Sequence, residues 1–267
     1  MLGNDVVDLY DFDSRPETYR PRFDARVFDE CERRAIAHDL HPLARRWAHW
    51  AAKEAAYKLV RQVDSGFVFA PRRLVVRFEP VSPDAGRRRE RRGQIDLPQG
   101  GELAGSVVEV RSFETPEYVH VIALPAGADW GAVAARVSEL DPADADPSEA
   151  VRRMARAEIA CSLGVEEGRL AIGRRGRIPT IELDHAPTSL SLSLSHQGRW
   201  IAFAMMPEQA MMPEQAMMPE QAMMPEQAMK PEQAMKPGQE PARARGWARG
   251  PTPETAKGTG ATIWQTT

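Results

Sequence analysis

The chain has 267 residues and a formal net charge of −3, so its overall charge gives no argument for nucleic-acid binding. A hydrophobic content of 42% is ordinary for a globular protein. No apolar run approaches the ~18 residues that suggest a membrane span, and no secretory signal begins the sequence. The two cysteines, Cys31 and Cys161, have no Cys or His at metal-ligand spacing, which predicts reduced thiols in a cytoplasmic protein.

The first 125 residues predict strands mixed with two long helices. A strand is expected over residues 3–9, where β-branched residues lie at the centre. Residues 23–40 carry apolar side chains at a spacing of four and predict one helix. Pro42 suits the first turn of the next helix, which ends near residue 62. Further strands are predicted over residues 74–78, 106–110 and 118–124, the last two as an antiparallel pair with one covered face.

Residues 86–93 form a glycine-bounded run of arginines. Such a run most often is a solvated loop. The alternative is an electrostatic contact for an acidic partner.

Asp and Pro residues concentrate over 125–146 and mark a boundary. They predict a first half over residues 1–125, a linker over 126–147 and a second half over 148–206. The second half begins with a helix that runs from Ser148 to about residue 163. Strands are predicted over residues 169–172, 178–183, 189–195 and 200–205, with a tight turn over 196–199.

The C-terminal region repeats the hexapeptide Met-Met-Pro-Glu-Gln-Ala from Met205 onward. A proline at every sixth position prevents a continuous helix or a central strand. Residues 207–267 are therefore predicted to be a disordered, low-complexity tail.

The predicted helix over residues 42–62 carries two charged residues that are candidates for a functional site. Glu54 and Lys58 are four residues apart, so they share a helix face. A solvated Glu–Lys pair is the ordinary interpretation of such spacing. A second acidic cluster at the start of the chain, Asp5 with Asp8, favours a site instead.

Four segments together resemble the 4′-phosphopantetheinyl transferase superfamily. They are Gly3-Asn4-Asp5-Val6-Val7-Asp8, Phe28-Asp29-Glu30-Cys31-Glu32, Trp50-Ala51-Ala52-Lys53-Glu54-Ala55-Ala56-Tyr57-Lys58, and Ser191-Leu192-Ser193-Leu194-Ser195-His196-Gln197-Gly198-Arg199-Trp200. The acid three residues after Asp5 matches the holo-acyl-carrier-protein synthase type. The Ser-His motif follows the first motif here, so the two halves look circularly permuted relative to two-domain members.

The resemblance implies a Mg²⁺-dependent enzyme, with Mn²⁺ as an alternative metal. Its substrate would be coenzyme A, and its partner an apo acyl, polyketide or peptidyl carrier protein. The phosphopantetheine arm would move to a carrier serine with release of 3′,5′-ADP. The alternative is a catalytically degenerate family member that acts as a carrier-protein or multienzyme binding module.

The resemblance also assigns roles to residues. The implied metal ligands are Asp5, Glu54 and Glu32, and the implied catalytic residues are Glu54, Lys58 and Glu32, with Glu32 as a general-base candidate. The implied coenzyme A contacts are Lys53, Lys58, Arg152, Ser195 and His196. Asp8 is a weak ligand candidate, because an offset of three in a strand places it on the face opposite Asp5.

The fold implied is α+β: two similar halves, each a small, mainly antiparallel sheet packed on a long helix. The halves would be related by a pseudo-twofold axis, with the site between them. A monomer of this kind is a pseudo-dimer, with no nucleic-acid or membrane partner.

Overall fold

Helices and antiparallel sheets are mixed throughout the residues that the computed structural model describes, 1–19, 22–80, 88–99 and 102–208. These residues lie within one compact unit. The mixture confirms the predicted α+β class. The helices are α1 (Phe23–Val27), α2 (Glu30–Ala37), α3 (Pro42–Val60) and α4 (Pro147–Leu163). None of these described helices is both long and apolar enough to cross a membrane.

Eleven strands form three sheets in the same described ranges. They are β1 (Gly3–Asp8), β2 (Val76–Phe78), β3 (Arg89–Asp96), β4 (Val107–Glu114), β5 (Tyr118–Pro125), β6 (Ala134–Glu139), β7 (Leu170–Arg175), β8 (Ile178–Leu183), β9 (Ala186–Pro187), β10 (Leu190–Gln197) and β11 (Trp200–Pro207). The sheet orders are β1-β5-β4-β3-β2, β10-β11-β6 and β7-β8-β9.

The first half is built on α3, which lies across the five-stranded sheet. The buried face of α3 is rich in alanine, and the side chains of Ala48, Ala52 and Ala55 are fully buried. Small side chains let the helix approach the sheet closely. At Gly3 the approach is so close that an added Cβ would overlap the carbonyl oxygen of Ala55.

The sheet that contains β5 packs face to face with the sheet that contains β11. Alternate residues of a strand point to opposite faces, so β5 contributes side chains to two cores. Val119 and Val121 of β5 belong to the core under α3, whereas Ile122 joins Ala204 and Met206 of β11 in a core between the sheets. The other face of β11 packs with α4. Each half therefore has an antiparallel sheet packed on a long helix. The β4–β5 pair, expected to have one covered face, is covered on both faces at β5.

The predicted helix over residues 23–40 is wrong, because the chain is two helices there. Phe28 is extended, with φ −108° and ψ 139°. The side chain of Asp29 then caps α2, and Glu32 completes a capping box by accepting from the Asp29 backbone N–H at 2.7 Å. The Asp-x-x-Glu spacing was the signal for this break.

The predicted arginine loop is also wrong over most of its length. Residues 89–93 belong to β3, which pairs with β4. Arg91 is buried and donates to Glu114 at 2.6 Å and to Asp39 at 2.9 Å. It therefore offers no contact for an acidic partner. Residues 86 and 87 lie outside the described residues.

Two further boundaries differ from expectation. The predicted linker, residues 126–147, contains β6, which pairs with β11. The first repeat copy begins within β11, where Met205 and Met206 are buried. The rest of the repeat, from residue 209, lies outside the described residues.

The Gly3 contact yields a direct test. Gly3→Ala should lower the free energy of unfolding by ~3 kcal/mol, because the new methyl group meets helix backbone that cannot rotate away. Urea unfolding measures the change. The matched control is Gly168→Ala, where an added Cβ meets nothing within 4 Å. Equal stabilities for the two variants would contradict the close α3–β1 packing.

Candidate functional site

The site lies where β1 meets β10. One edge of β1 pairs with β5. Along the other edge, the backbone N–H of Asn4 donates to Ser193 Oγ at 3.0 Å, and that of Val6 donates to Ser195 Oγ at 3.2 Å. Both pairs are 189 residues apart, so the strands run in the same direction. Serine hydroxyls of β10 take the place that backbone carbonyls have in a sheet.

This row of hydroxyls joins the two halves of the chain. The Asn4 side chain adds a bond to the Ser193 carbonyl at 2.6 Å. Ser191 donates to the side chain of Gln62, which itself donates to the Leu2 carbonyl. We call Ser191, Ser193 and Ser195 the serine row. Its members are all buried.

Asp5 is the centre of a polar cluster at one end of the serine row. Its Oδ1 accepts from Lys58 Nζ at 2.7 Å and from Ser195 Oγ at 2.8 Å. Lys58 also donates to the Asn4 carbonyl at 2.9 Å. Lys58 therefore pairs with β1 rather than forming a solvated pair with Glu54 on the surface of α3. The structure brings together three predicted site residues: Asp5, Lys58 and Ser195.

Glu54 is the second carboxylate of this cluster. Burial, followed by the nearby charge of Asp5, raises the pKa of Glu54 to about 7, while Lys58 opposes the rise. Two carboxylates that repel each other in a partly desolvated place are a donor pair suited to a cation. Within the described ranges, no group of three or more His, Cys, Asp or Glu side chains is arranged to hold a metal. The cluster thus presents two carboxylates, Asp5 and Glu54, beside the ammonium group of Lys58.

A cavity of about 550 Å³ opens beside Glu54, between α3 on one side and α4, β10 and the β7–β8 turn on the other. Lys58, Arg152 and His196 line it, as does Glu54 itself. Its cationic lining comprises Lys58, Arg61, Arg152, Arg174, Arg175 and Arg177. Among the residues that the structure describes, six cationic side chains and a single carboxylate line the cavity, which favours a ligand with several negative charges.

Glu32 and Lys53 lie elsewhere, and this corrects their predicted roles. Glu32 is 1% exposed and Lys53 is fully buried. Lys53 Nζ donates to Glu32 at 2.8 Å and to the carbonyls of Pro71 and Leu74. The other contacts of Glu32 include the Val76 N–H at 2.8 Å. Neither side chain lines the cavity. Their hydrogen bonds instead connect α2 and α3 with the start of β2.

The pKa shifts of Glu32 and His49 agree with a structural role for Glu32 in the core. Burial alone would raise the pKa of Glu32, but the hydrogen bond from His49 and the charge of Lys53 lower it overall. Burial is also the main cause of the lowered pKa of His49, which falls to about 4. Glu32 is thus a satisfied carboxylate, unlike Glu54.

Asp8 points away from the Asp5 cluster, as its offset of three predicts. Its carboxylate accepts from Tyr10 N at 2.9 Å and from Arg199 N and Nε, both at 3.0 Å. Both oxygens of Asp8 are engaged, so it does not complete a cation site with Asp5.

Several residues of the site were not foreseen. Asn4, Gln62 and Ser193 join the halves, and Arg174 to Arg177 supply much of the positive charge. The Ser-x-Ser-x-Ser alternation was the available signal for the serine row, since residues two apart share a strand face. The arginines beside Gly176 could be recognised as a turn, but not as part of a cavity formed with α3.

The fold and the site define an α+β protein whose two halves enclose a cationic cleft beside paired carboxylates. Residues 1–100 match the family model of the 4′-phosphopantetheinyl transferase superfamily. This match confirms the resemblance carried by the first motifs, and the match spans β1, α3 and the carboxylates Asp5 and Glu54. No curated protein matches the chain.

The raised pKa of Glu54 predicts a pH-dependent stability in metal-free buffer. The folded value of about 7 exceeds the ordinary 4.5, so the folded chain holds a proton that the unfolded chain releases. This stabilisation is complete below pH 4.5 and is lost as the pH rises through 7. Glu54→Gln removes it. Relative to wild type, the variant should therefore gain ~2 kcal/mol of unfolding free energy between about pH 5 and about pH 8.

Urea unfolding at the two pH values measures this gain. Glu117→Gln, at an exposed position, is the matched control and should follow wild type. A Glu54→Gln curve parallel to wild type would contradict the burial of the charge.

Proposed function

We propose that the chain is a phosphopantetheinyl transferase that moves the 4′-phosphopantetheine arm of coenzyme A to a serine of an apo acyl, polyketide or peptidyl carrier protein. The carrier serine hydroxyl would give up its proton to solvent water as its oxygen forms a bond to the phosphorus that bears the arm, and the pyrophosphate bond would break with release of 3′,5′-ADP. One observation carries the proposal: a cationic cleft adjoins a repelling carboxylate pair, within and beside the segment that matches the family model.

The charge of the cleft supports coenzyme A as the ligand. Coenzyme A carries a pyrophosphate and a 3′-phosphate, so a site for it must offset several negative charges. The cleft offers Arg152 from α4 and Arg177 from the β7–β8 turn across from Lys58 of α3. Arginine forks suit phosphate oxygens, whereas lysine acts as a movable point charge.

Asp5 and Glu54 are the residues that would hold Mg²⁺. Two carboxylates fit this ion, because Mg²⁺ is usually bound by one or two carboxylates, with phosphate oxygens and water completing its coordination. When bound, the ion would offset the charge that develops on the pyrophosphate oxygens.

The chain's own residues would position the substrate. Lys58 is 30% exposed at its side chain and lies on Asp5, so it can turn toward a pyrophosphate that reaches the cleft. His196 and Arg152 line the cavity and would contact phosphate groups. Ser195 would act mainly by holding Asp5, to which it donates at 2.8 Å. Glu32 has no part in the proposal, since its oxygens are occupied in the core.

Incubation with coenzyme A, Mg²⁺ and an apo carrier protein tests the function. The carrier should gain the mass of one phosphopantetheine, as measured by intact-protein mass spectrometry. Glu54→Gln should reduce the rate by at least ~100-fold, because transition-state charge loses its counter-ion, while circular dichroism stays native. Full activity in Glu54→Gln would refute the assigned role. Coenzyme A binding without transfer to any of several carriers would instead indicate a binding module.

The cationic lining gives a separate prediction. Arg152→Ala should raise the Michaelis constant for coenzyme A about tenfold through the loss of one charge-assisted phosphate contact, and leave the constant for the carrier unchanged. Steady-state kinetics with each substrate varied in turn measure both. Arg169→Ala is the matched control, because Arg169 forms an exposed pair with Asp184 and does not line the cavity. Equal effects of the two substitutions would contradict the placement of coenzyme A.

A further inference from the structure

The end of β1 makes a second link between the halves, distinct from the serine row. Asp8 is 1% exposed. Its Oδ2 accepts from the backbone N–H of Arg199 and from Arg199 Nε, both at 3.0 Å, and its Oδ1 accepts from Arg199 Nη2 at 3.2 Å. One carboxylate thus binds both the main chain and the guanidinium of a residue in the β10–β11 turn.

The turn is shaped to receive this carboxylate. Gly198 has a φ of 55°, and a Cβ added there would lie 2.6 Å from Asp8 Oδ2. A glycine therefore satisfies two demands at once: the left-handed backbone and the close approach of Asp8. The contact is a built interface rather than a chance surface pair.

The charge of Asp8 is retained in this buried place. Burial by itself would raise its pKa, but the hydrogen bonds from Arg199 outweigh burial and lower it. Arg199 has a second carboxylate neighbour, Glu139 of β6, at 3.7 Å, and that side chain is 60% exposed. The two carboxylates differ sharply in burial and in the number of bonds they make to the same arginine.

The position of the turn matters because β10 leads from the serine row into the cleft and then into the turn. Ser195 is fixed by β1, and His196, the next residue, lines the cavity. Only Gln197 and Gly198 separate His196 from Arg199. Whatever holds the Arg199 backbone therefore also limits where His196 can lie.

We propose that Asp8 is a positioning residue: by clamping the β10–β11 turn to the first half, it holds His196 at the cleft in the place that coenzyme A binding needs. The inference rests on the proposed function for its ligand. It assigns Asp8 no contact with substrate or metal.

The test compares two carboxylate-to-amide changes around one arginine. Asp8→Asn removes the charge from the clamp, and Glu139→Gln is the matched control. Isothermal titration of Mg²⁺ and coenzyme A measures affinity at a temperature where circular dichroism shows each protein folded. Hydrogen exchange of residues 196–199 measures the mobility of the turn. We expect Asp8→Asn to weaken coenzyme A binding about tenfold and to speed exchange in the turn, and Glu139→Gln to do neither.

A purely structural role would lower the melting temperature but leave the affinity of the folded protein unchanged. That result would overturn the inference, as would equal losses in the two variants. If Asp8→Asn does not fold, Arg199→Gln removes the side-chain half of the clamp and keeps the backbone half, and the same two readouts decide. A wild-type chain that binds no coenzyme A would refute the proposed function itself. If wild type and Asp8→Asn bind coenzyme A with equal affinity, the positioning role of Asp8 is refuted and the proposed function is not.

Discussion

The free edge of β1 is the constraint on which the rest of the site depends. Its backbone N–H groups at Asn4 and Val6 are buried, and a buried donor without an acceptor costs about 1–3 kcal/mol. The hydroxyls of Ser193 and Ser195 supply the acceptors. The acceptors for these N–H groups lie in the second half of the chain, so hydrogen bonding at this edge favours the packing of β10 against β1. That contact places Ser195 on Asp5 and creates the cleft beside Glu54.

Two neighbouring residues of α3 show how the protein treats buried charge differently on two faces of a helix. Lys53 faces the core and is fully paired with Glu32 and two carbonyls. Glu54, the next residue, faces the cleft, where burial and Asp5 disfavour its charged form. The first arrangement is complete without a ligand and holds the fold. In the second arrangement the negative charges of Glu54 and Asp5 disfavour each other. A bound cation, alone or together with a polyanion, would offset this repulsion.

Much of this was accessible from the sequence. The resemblance carried by the motifs implied that Asp5, Lys58 and Ser195 share a site, and the structure brings these three side chains together. The misplaced features depend on partners far along the chain. Arg91 lies in a strand because Glu114 and Asp39 receive it, and Lys53 is internal because Glu32 reaches it from another helix. The break before α2 is different, since its signal, the Asp29–Glu32 capping box, lies within four consecutive residues.

The contact between β1 and β10 depends on side chains rather than on a backbone ladder. A sheet ladder of main-chain groups would make the halves one continuous sheet. Here the hydrogen bonds between the halves involve the side chains of three serines, an asparagine and a glutamine. The hydroxyls that accept from β1 are spaced two residues apart on one face of β10. A shift of β10 by one residue would therefore turn the serines away from β1 and leave the N–H groups of Asn4 and Val6 without acceptors.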